Sequence, residues 1–342
     1  MSDQRRAIHL AIAARQRGGI FTLDDLLRAG FTRGELRSNL RSGSWTRLRY
    51  GVFVLTAAFA AANPRETHRF GTAAALAVTG STWAGTASAA VVHRLELLEE
   101  PPLDVLRLVR PASGPGRTRR VGDVELRECG LPSAHRTAVR GVRTTTAART
   151  AIDLAREMPT LAGVVVLDSA MHRDGVDPAA LDGVLTQLAG WPGIARAASA
   201  VALADPGAES VLESVSRVEL VTRDLRPETQ IWLAGPGGYA RSDFLWWRER
   251  TIGEADGLGK YAKHGPGPGD PLVLEKLRHQ LLEEWGFEVV RWTWLEIRAD
   301  PDAVAERVRR GFARSALRQE IRARNKEPDL VRRLAGAPWE LP

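Results

Sequence analysis

The sequence has little cysteine, little lysine and no long apolar run. Its single cysteine, Cys129, excludes an internal disulfide and any zinc site built from cysteines. No apolar stretch reaches the roughly 18 residues that a membrane-spanning helix needs, so no membrane partner is expected. The first residues are basic and amphipathic and lack the apolar core of a secretory signal. These absences make the cytoplasm the expected location.

The charge of the chain is positive and unevenly distributed. The 342 residues carry a formal net charge of +7, and only four of the 48 basic residues are lysines. Residues 1–56 contain ten arginines against four acidic residues, which gives a net charge of +6. Because nearly the whole excess lies in this part of the chain, a nucleic-acid partner is expected to bind there.

The N-terminal segment has the pattern of three short helices followed by a hairpin. The second helix follows a capping residue, Thr22, and the third follows Thr32, with Glu35 at the capping-box position. The alternating stretch "WTRLRYGVFVLT" then predicts two strands. This order predicts a winged helix-turn-helix over residues 1–58, whose third helix would enter the major groove of double-stranded DNA.

Six polar side chains of this segment are candidates for contact with DNA. The predicted third helix presents four of them, and the predicted wing presents two that would meet phosphates and position the protein without reading sequence. The alternative is a small helical domain whose solvated arginines serve contact with another protein. The candidates are Arg33, Arg37, Ser38 and Arg41 on the helix, and Arg47 and Arg49 on the wing.

The first two thirds of the chain resemble a known family of regulators. The run "GGIFTLDDLLRAGFTRGELRSNLRSGSWTRLRYGVFVL" resembles the N-terminal domain of AbiEi-type antitoxins, the regulator half of type IV abortive-infection toxin–antitoxin pairs. "TWAGTASAAVVHRLEL" and "VRTTTAARTAIDLAR" resemble later elements of that family. The resemblance implies an α+β middle domain over residues 62–204 and a cognate toxin as partner, with a homodimer left open. In the last motif Arg149 and Asp153 can pair across one helical turn, for structure or at a partner interface.

The C-terminal part, residues 205–317, has the predicted order helix, three strands, helix, strand, helix. Asp243 ends one strand and Glu254 ends the next, so their carboxylates can share one Mg²⁺, which prefers oxygen ligands. Such a metal lowers the pKa of a bound water and stabilises charge on a phosphate. Lys260 would orient the water or neutralise the reacting oxygens.

The same part resembles a nuclease fold. "ESVLESVSRVEL", "SDFLWW", "GEADGLGKY" and "LEKLRHQLLEEWGFEVVRWTW" resemble, in order, motifs of the very-short-patch-repair-like branch of the PD-(D/E)xK restriction-endonuclease fold. The resemblance implies a catalytic role for Asp243, Glu254 and Lys260, and it implies that Glu213 on the first helix completes the metal ligands. The chain departs from the fold's pattern at position 256, where Asp256 replaces the usual lysine and becomes a candidate third metal ligand.

Two functions follow for the expected α/β multi-domain chain, which ends in a charged tail at residues 318–342. The first is a DNA-binding transcriptional regulator of the antitoxin type, whose endonuclease-like domain is a binding module. The alternative is a Mg²⁺-dependent DNA endonuclease, in phage defence or repair, that its winged helix targets. A nuclease fold that keeps its carboxylates only for structure or for holding a partner is a third interpretation.

Overall fold

A computed structural model describes residues 2–112, 116–256 and 271–340. The chain is mixed α/β and divides into two compact units, Met1–Ala204 and Asp205–Pro342. No helix in the described part of the chain is both long enough and apolar enough to cross a membrane.

The first unit begins with three helices and three strands that surround an aromatic core. The elements are α1 (Asp3–Gln16), β1 (Ile20–Thr22), α2 (Leu23–Arg28), α3 (Arg33–Arg41), β2 (Trp45–Arg49) and β3 (Val52–Leu55). The predicted cap at Thr22 and the predicted capping box at Thr32 are present and begin α2 and α3, and Asp25 completes a capping box at Thr22 as well. The antiparallel sheet has the order β1-β3-β2, so β1 adds a strand that the sequence pattern did not predict.

The rest of the first unit is a six-stranded sheet with helices. Its elements are α4 (Thr56–Ala60), α5 (Pro64–Thr79), β4 (Trp83–Ala84), α6 (Thr86–His93), β5 (Leu106–Pro111), β6 (Arg117–Val121), β7 (Val124–Cys129), β8 (Arg136–Val139), β9 (Val142–Thr145), α7 (Ala147–Glu157), α8 (Thr160–Asp174), α9 (Pro178–Gln187) and α10 (Ile194–Val201). The strand order is β6-β7-β5-β4-β9-β8, which makes β6 and β8 the edges.

The two predicted domains of this unit share one hydrophobic core. Ile20 and Val54 from the N-terminal strands pack in the same buried cluster as Phe70 on α5 and Leu108 on β5. The Arg69 guanidinium also donates a hydrogen bond of 2.6 Å to the carbonyl of Gly18. The structure therefore joins, in one compact unit, segments that the sequence pattern separates near residue 60.

The second unit is a five-stranded sheet between helices. Its elements are α11 (Val211–Val221), β10 (Glu228–Gly235), β11 (Gly238–Trp246), β12 (Thr251–Asp256), α12 (Pro271–Glu284), β13 (Glu288–Thr293), α13 (Trp294–Ala299), α14 (Pro301–Arg324) and β14 (Arg332–Arg333). The strand order is β13-β12-β11-β10-β14, with β12 and β13 parallel and the other neighbours antiparallel.

Two elements of this unit differ from the sequence expectation. The strand expected to continue to residue 297 ends at Thr293, because Glu296 accepts a 2.8 Å hydrogen bond from the Thr293 backbone and closes a capping box that starts α13. The last helix continues into the expected tail as far as Arg324. Arg318 helps to hold it through a 3.0 Å ion pair with Glu288 on β13. Beyond that helix, β14 pairs with the edge of β10.

Candidate functional site

One face of α3 is buried and the face beside it is basic. Leu36 packs in the aromatic core, which orients the helix. Arg33, Arg37 and Arg41 follow at intervals of four residues and are exposed, with Ser38 exposed beside them. Within the described residues no ion pair engages any of these three arginines. Their charges are therefore available to an anionic ligand.

An ion pair fixes the orientation of α3 against α1. The Glu35 carboxylate accepts a 2.5 Å hydrogen bond from Arg6 on α1 and a 2.7 Å bond from the backbone N–H of Thr32. The Arg6 bond, followed by the bonds from Thr32, lowers the pKa of Glu35 to about 2. Glu35 is therefore ionised at neutral pH, and it neutralises an arginine outside the exposed row of α3.

The two arginines of the β2–β3 hairpin have different environments. Arg47 is exposed and its guanidinium lies 6.0 Å from the centre of the Phe53 ring. Arg49 is part-buried and ion-paired with Asp123, which lies in the β6–β7 turn. A phosphate contact by either residue stays a prediction, and for Arg49 it would compete with Asp123. The hairpin also presents Tyr50, 92% exposed at the turn, which the sequence reasoning did not select.

The structure places the two central carboxylates of the second unit side by side. Phe244 on β11 is opposite Gly253 on β12 in an antiparallel register, so the preceding Asp243 is opposite Glu254 and faces the same side of the sheet. The Asp243 carboxylate accepts a 3.1 Å hydrogen bond from the backbone N–H of Ala255. The sequence order of the strands was sufficient to predict this adjacency.

Two arginines enclose the carboxylate of Glu254. Arg278 on α12 lies 2.7 Å from Oε1 and Arg291 on β13 lies 2.6 Å from Oε2, while Glu254 itself is 1% exposed. Burial raises the pKa of Glu254, and the two guanidiniums oppose that rise. Arg291 also lies 3.9 Å from Asp256. The sequence reasoning missed both arginines, although Arg291 is the parallel-register partner of Glu254.

Glu213 is the helical carboxylate of this group. It lies on α11 and accepts hydrogen bonds of 2.8 Å from Ser210 and Gln230 and of 3.0 Å from the Glu209 backbone. Burial is the largest cause of its raised pKa, and the charge of Asp243 acts in the same direction. Glu213 is thus held by neutral donors close enough to Asp243 to respond to its charge.

The described arrangement does not fit a bound Mg²⁺ ion. The carboxylate oxygens have the right chemistry, but both oxygens of Glu254 already face guanidinium groups at ion-pair distance. In the described ranges no group of three or more histidine, cysteine, aspartate or glutamate side chains is placed to hold a metal. Lys260, the predicted catalytic lysine, lies outside the described residues.

Tryptophan packing positions the strand that carries Glu254. Trp292 on β13 is 1% exposed, stacks on Phe244 with ring centres 5.5 Å apart, and donates a 2.8 Å hydrogen bond to Ser216. Gly253, the neighbour of Glu254, lies against this ring, and a Cβ there would come within 2.5 Å of it. These contacts give Trp292 a packing role in the core.

The predicted pair of the middle segment is buried. Arg149 is 1% exposed and donates a 2.7 Å hydrogen bond from Nε to Asp153, which is 4% exposed. Arg156, 3% exposed, lies 3.7 Å from the same carboxylate. Such burial matches the structural interpretation of the pair, because neither charge reaches the surface.

Comparison with known proteins finds a family match in the middle of the chain. Residues 65–202 match the family described as the AbiEi antitoxin C-terminal domain. Two curated Mycobacterium tuberculosis proteins, "Uncharacterized protein MT2308" and "Uncharacterized protein Rv2248", are each 26% identical over 293 residues, covering 84% of this chain and 99% of the relative. A crystal structure of the RV2827C protein from Mycobacterium tuberculosis is 17% identical with a TM-score of 0.36, covering 58% of this chain and 76% of that one.

Proposed function

We propose that the chain is a DNA-binding regulator of the antitoxin type and that its N-terminal segment binds double-stranded DNA. The single observation that carries this proposal is the row of exposed arginines on α3, which have no carboxylate partner in the described residues. The order of helices and strands around α3 is typical of a winged helix-turn-helix, in which such a helix enters the major groove. The AbiEi match over residues 65–202 supports the regulatory role.

Replacement of Arg37 by alanine tests this proposal. Arg37 is at the centre of the exposed row, so its loss is expected to weaken binding to the promoter DNA of its own gene by roughly 5- to 150-fold, the equivalent of about 1–3 kcal/mol. Fluorescence anisotropy with a labelled duplex at several salt concentrations measures the change. Arg310→Ala is the matched control, because Arg310 is also helical, exposed and without an ion pair in the described residues.

Equal DNA affinity of Arg37→Ala, Arg310→Ala and the unchanged protein would contradict the proposal. The α3 arginines would then serve contact with another protein. For the regulator we also propose a cognate toxin as a second partner, because the middle segment matches an antitoxin domain. Co-purification of the chain with a toxin expressed from a neighbouring gene tests that partner, and a homodimer can be detected in the same preparation by its mass.

A second candidate function is a Mg²⁺-dependent DNA endonuclease in the second unit. The adjacency of Asp243 and Glu254 on neighbouring strands favours it, with Asp256 at the end of β12. The arginine pairs oppose it, because a metal on Glu254 would have to displace Arg278 or Arg291.

Plasmid nicking with Mg²⁺, with Mn²⁺ and with chelator decides between these functions. If the second unit is a nuclease, metal-dependent nicking is expected and Glu254→Ala should abolish it while Arg37→Ala only reduces targeting. Glu249→Ala is a control, because Glu249 is exposed on the turn after β11. Absence of nicking under every metal, with DNA still bound by the unchanged protein, would reject the nuclease and leave the regulator standing.

A further inference from the structure

The edge strand β6 is an exposed row of positive charge. All five of its residues are exposed, and three of them are arginines, of which Arg117 and Arg119 project from one face of the strand and Arg120 from the other. Among the described strands β6 pairs with β7 alone, and it stands first in the order of its sheet. The strand therefore presents three arginines on an exposed edge of the sheet.

The two arginines of the neighbouring strand β5 have carboxylate partners. Arg107 on β5 pairs with Glu125, and Arg110 pairs with Glu128. Across the β6–β7 hairpin Glu128 lies opposite Arg117 and Glu125 lies opposite Arg120, and both glutamates are already engaged by β5. Within the described residues no ion pair reaches the three arginines of β6. Their positive charge therefore remains available to an external anion.

The β6 row begins next to the proposed DNA-binding hairpin. Asp123, in the turn that follows β6, is ion-paired with Arg49 of β2. Because a strand rises by about 3.3 Å per residue, the row extends from that turn to Arg117 over roughly 13 Å. Duplex DNA carries one negative charge per about 1.7 Å of its axis, so a duplex on the β2–β3 hairpin would offer phosphates along such a length.

We propose that β6 is a second DNA-contacting surface, which binds phosphates of a duplex beyond the part that α3 occupies. This inference rests on the proposed DNA-binding function of the N-terminal segment. The partner is the phosphate backbone, because arginines on an edge strand reach charges and not base edges. Charged edge strands also prevent sheets from pairing edge to edge, and that simpler role predicts no effect on DNA affinity.

Removal of all three charges tests the proposal. The variant Arg117→Gln, Arg119→Gln, Arg120→Gln is compared with a control that loses three exposed arginines of the second unit, Arg226→Gln, Arg248→Gln, Arg310→Gln. Both variants change the net charge equally. Anisotropy titrations with the promoter duplex are made at several salt concentrations, together with a random duplex of the same length. Size-exclusion chromatography checks that each variant stays monodisperse.

The β6 variant is expected to weaken binding to both duplexes by a similar factor. The slope of log affinity against log salt should become less steep by about 2, since each phosphate contact contributes about 0.9 and Arg117 and Arg119 project from the same face of β6. If the triple variant self-associates, the single variant Arg119→Gln replaces it. That variant is expected to make the salt dependence of the affinity less steep by about 1.

Two results would overturn the inference. If the β6 variant matches the control while Arg37→Ala still weakens binding, β6 does not contact DNA and the proposed function survives. If Arg37→Ala is also without effect, the N-terminal segment does not bind DNA and both proposals fail.

Discussion

Replacement of Asp153 by alanine is expected to destabilise the Met1–Ala204 unit by about 3–5 kcal/mol. Asp153 is the carboxylate between Arg149 and Arg156, and all three residues are at most 4% exposed. Without it, two buried guanidiniums face each other, and Arg149 also lies 3.1 Å from His135 Nδ1. Among the described residues no other carboxylate forms an ion pair with Arg149 or Arg156, so the loss leaves two buried positive charges uncompensated.

Thermal unfolding followed by circular dichroism measures this effect. A unit of this size should lose roughly 6–20 °C in its unfolding midpoint for that loss of free energy. Asp182→Ala is the control, because Asp182 is exposed on α9 and its removal should change the midpoint by little. A midpoint for Asp153→Ala within two or three degrees of the control would show that the buried charges find compensation elsewhere.

Replacement of Trp292 by alanine is expected to destabilise the Asp205–Pro342 unit by about 3–5 kcal/mol. Trp292 is a large ring that is 1% exposed, and its removal leaves a cavity against Phe244 and Gly253. It also leaves the buried hydroxyl of Ser216 without the indole N–H that donates to it. Because Trp292 follows Arg291 on β13, the loosened strand should also weaken the contact of Arg291 with Glu254.

Denaturant unfolding followed by tryptophan fluorescence and circular dichroism measures the free energy lost. Leu295→Ala is the control, because Leu295 is 65% exposed on α13 and has little apolar contact to lose. Equal stability of Trp292→Ala and Leu295→Ala would contradict the packing role of Trp292. If Trp292→Ala lowers stability but leaves DNA binding unchanged, the result would agree with DNA contact through the first unit.

The elements that begin at a local signal were predictable from the sequence. The Thr22 and Thr32 side chains each accept a hydrogen bond from the backbone N–H three residues further on, which caps the helix. The arginine row of α3 follows from helical spacing alone. The same kind of signal was overlooked at Thr293, because the apolar alternation of the strand continues past the cap. Strand order was also enough to place Asp243 beside Glu254.

The contacts between distant parts of the chain could not be predicted. Arg49 meets Asp123 across 74 positions, and Glu254 is enclosed by Arg278 from α12 and by Arg291 from β13. No periodicity or spacing in one segment specifies which arginine of a chain so rich in arginine will reach a given carboxylate. The short strands β1 and β14 depend in the same way on partners that only the folded sheets supply.

The sequence by itself determined the mixed α/β class, the basic N-terminal segment and the two carboxylates on neighbouring strands, because these follow from composition, spacing and local hydrogen bonds. Only the tertiary structure decided that the N-terminal and middle segments share a core and that arginines occupy both oxygens of Glu254. The tertiary structure also decided that β6 is an exposed edge strand whose three arginines form no ion pair within the described residues. Burial and ion pairing are properties of the packed chain, since each depends on residues far apart in sequence.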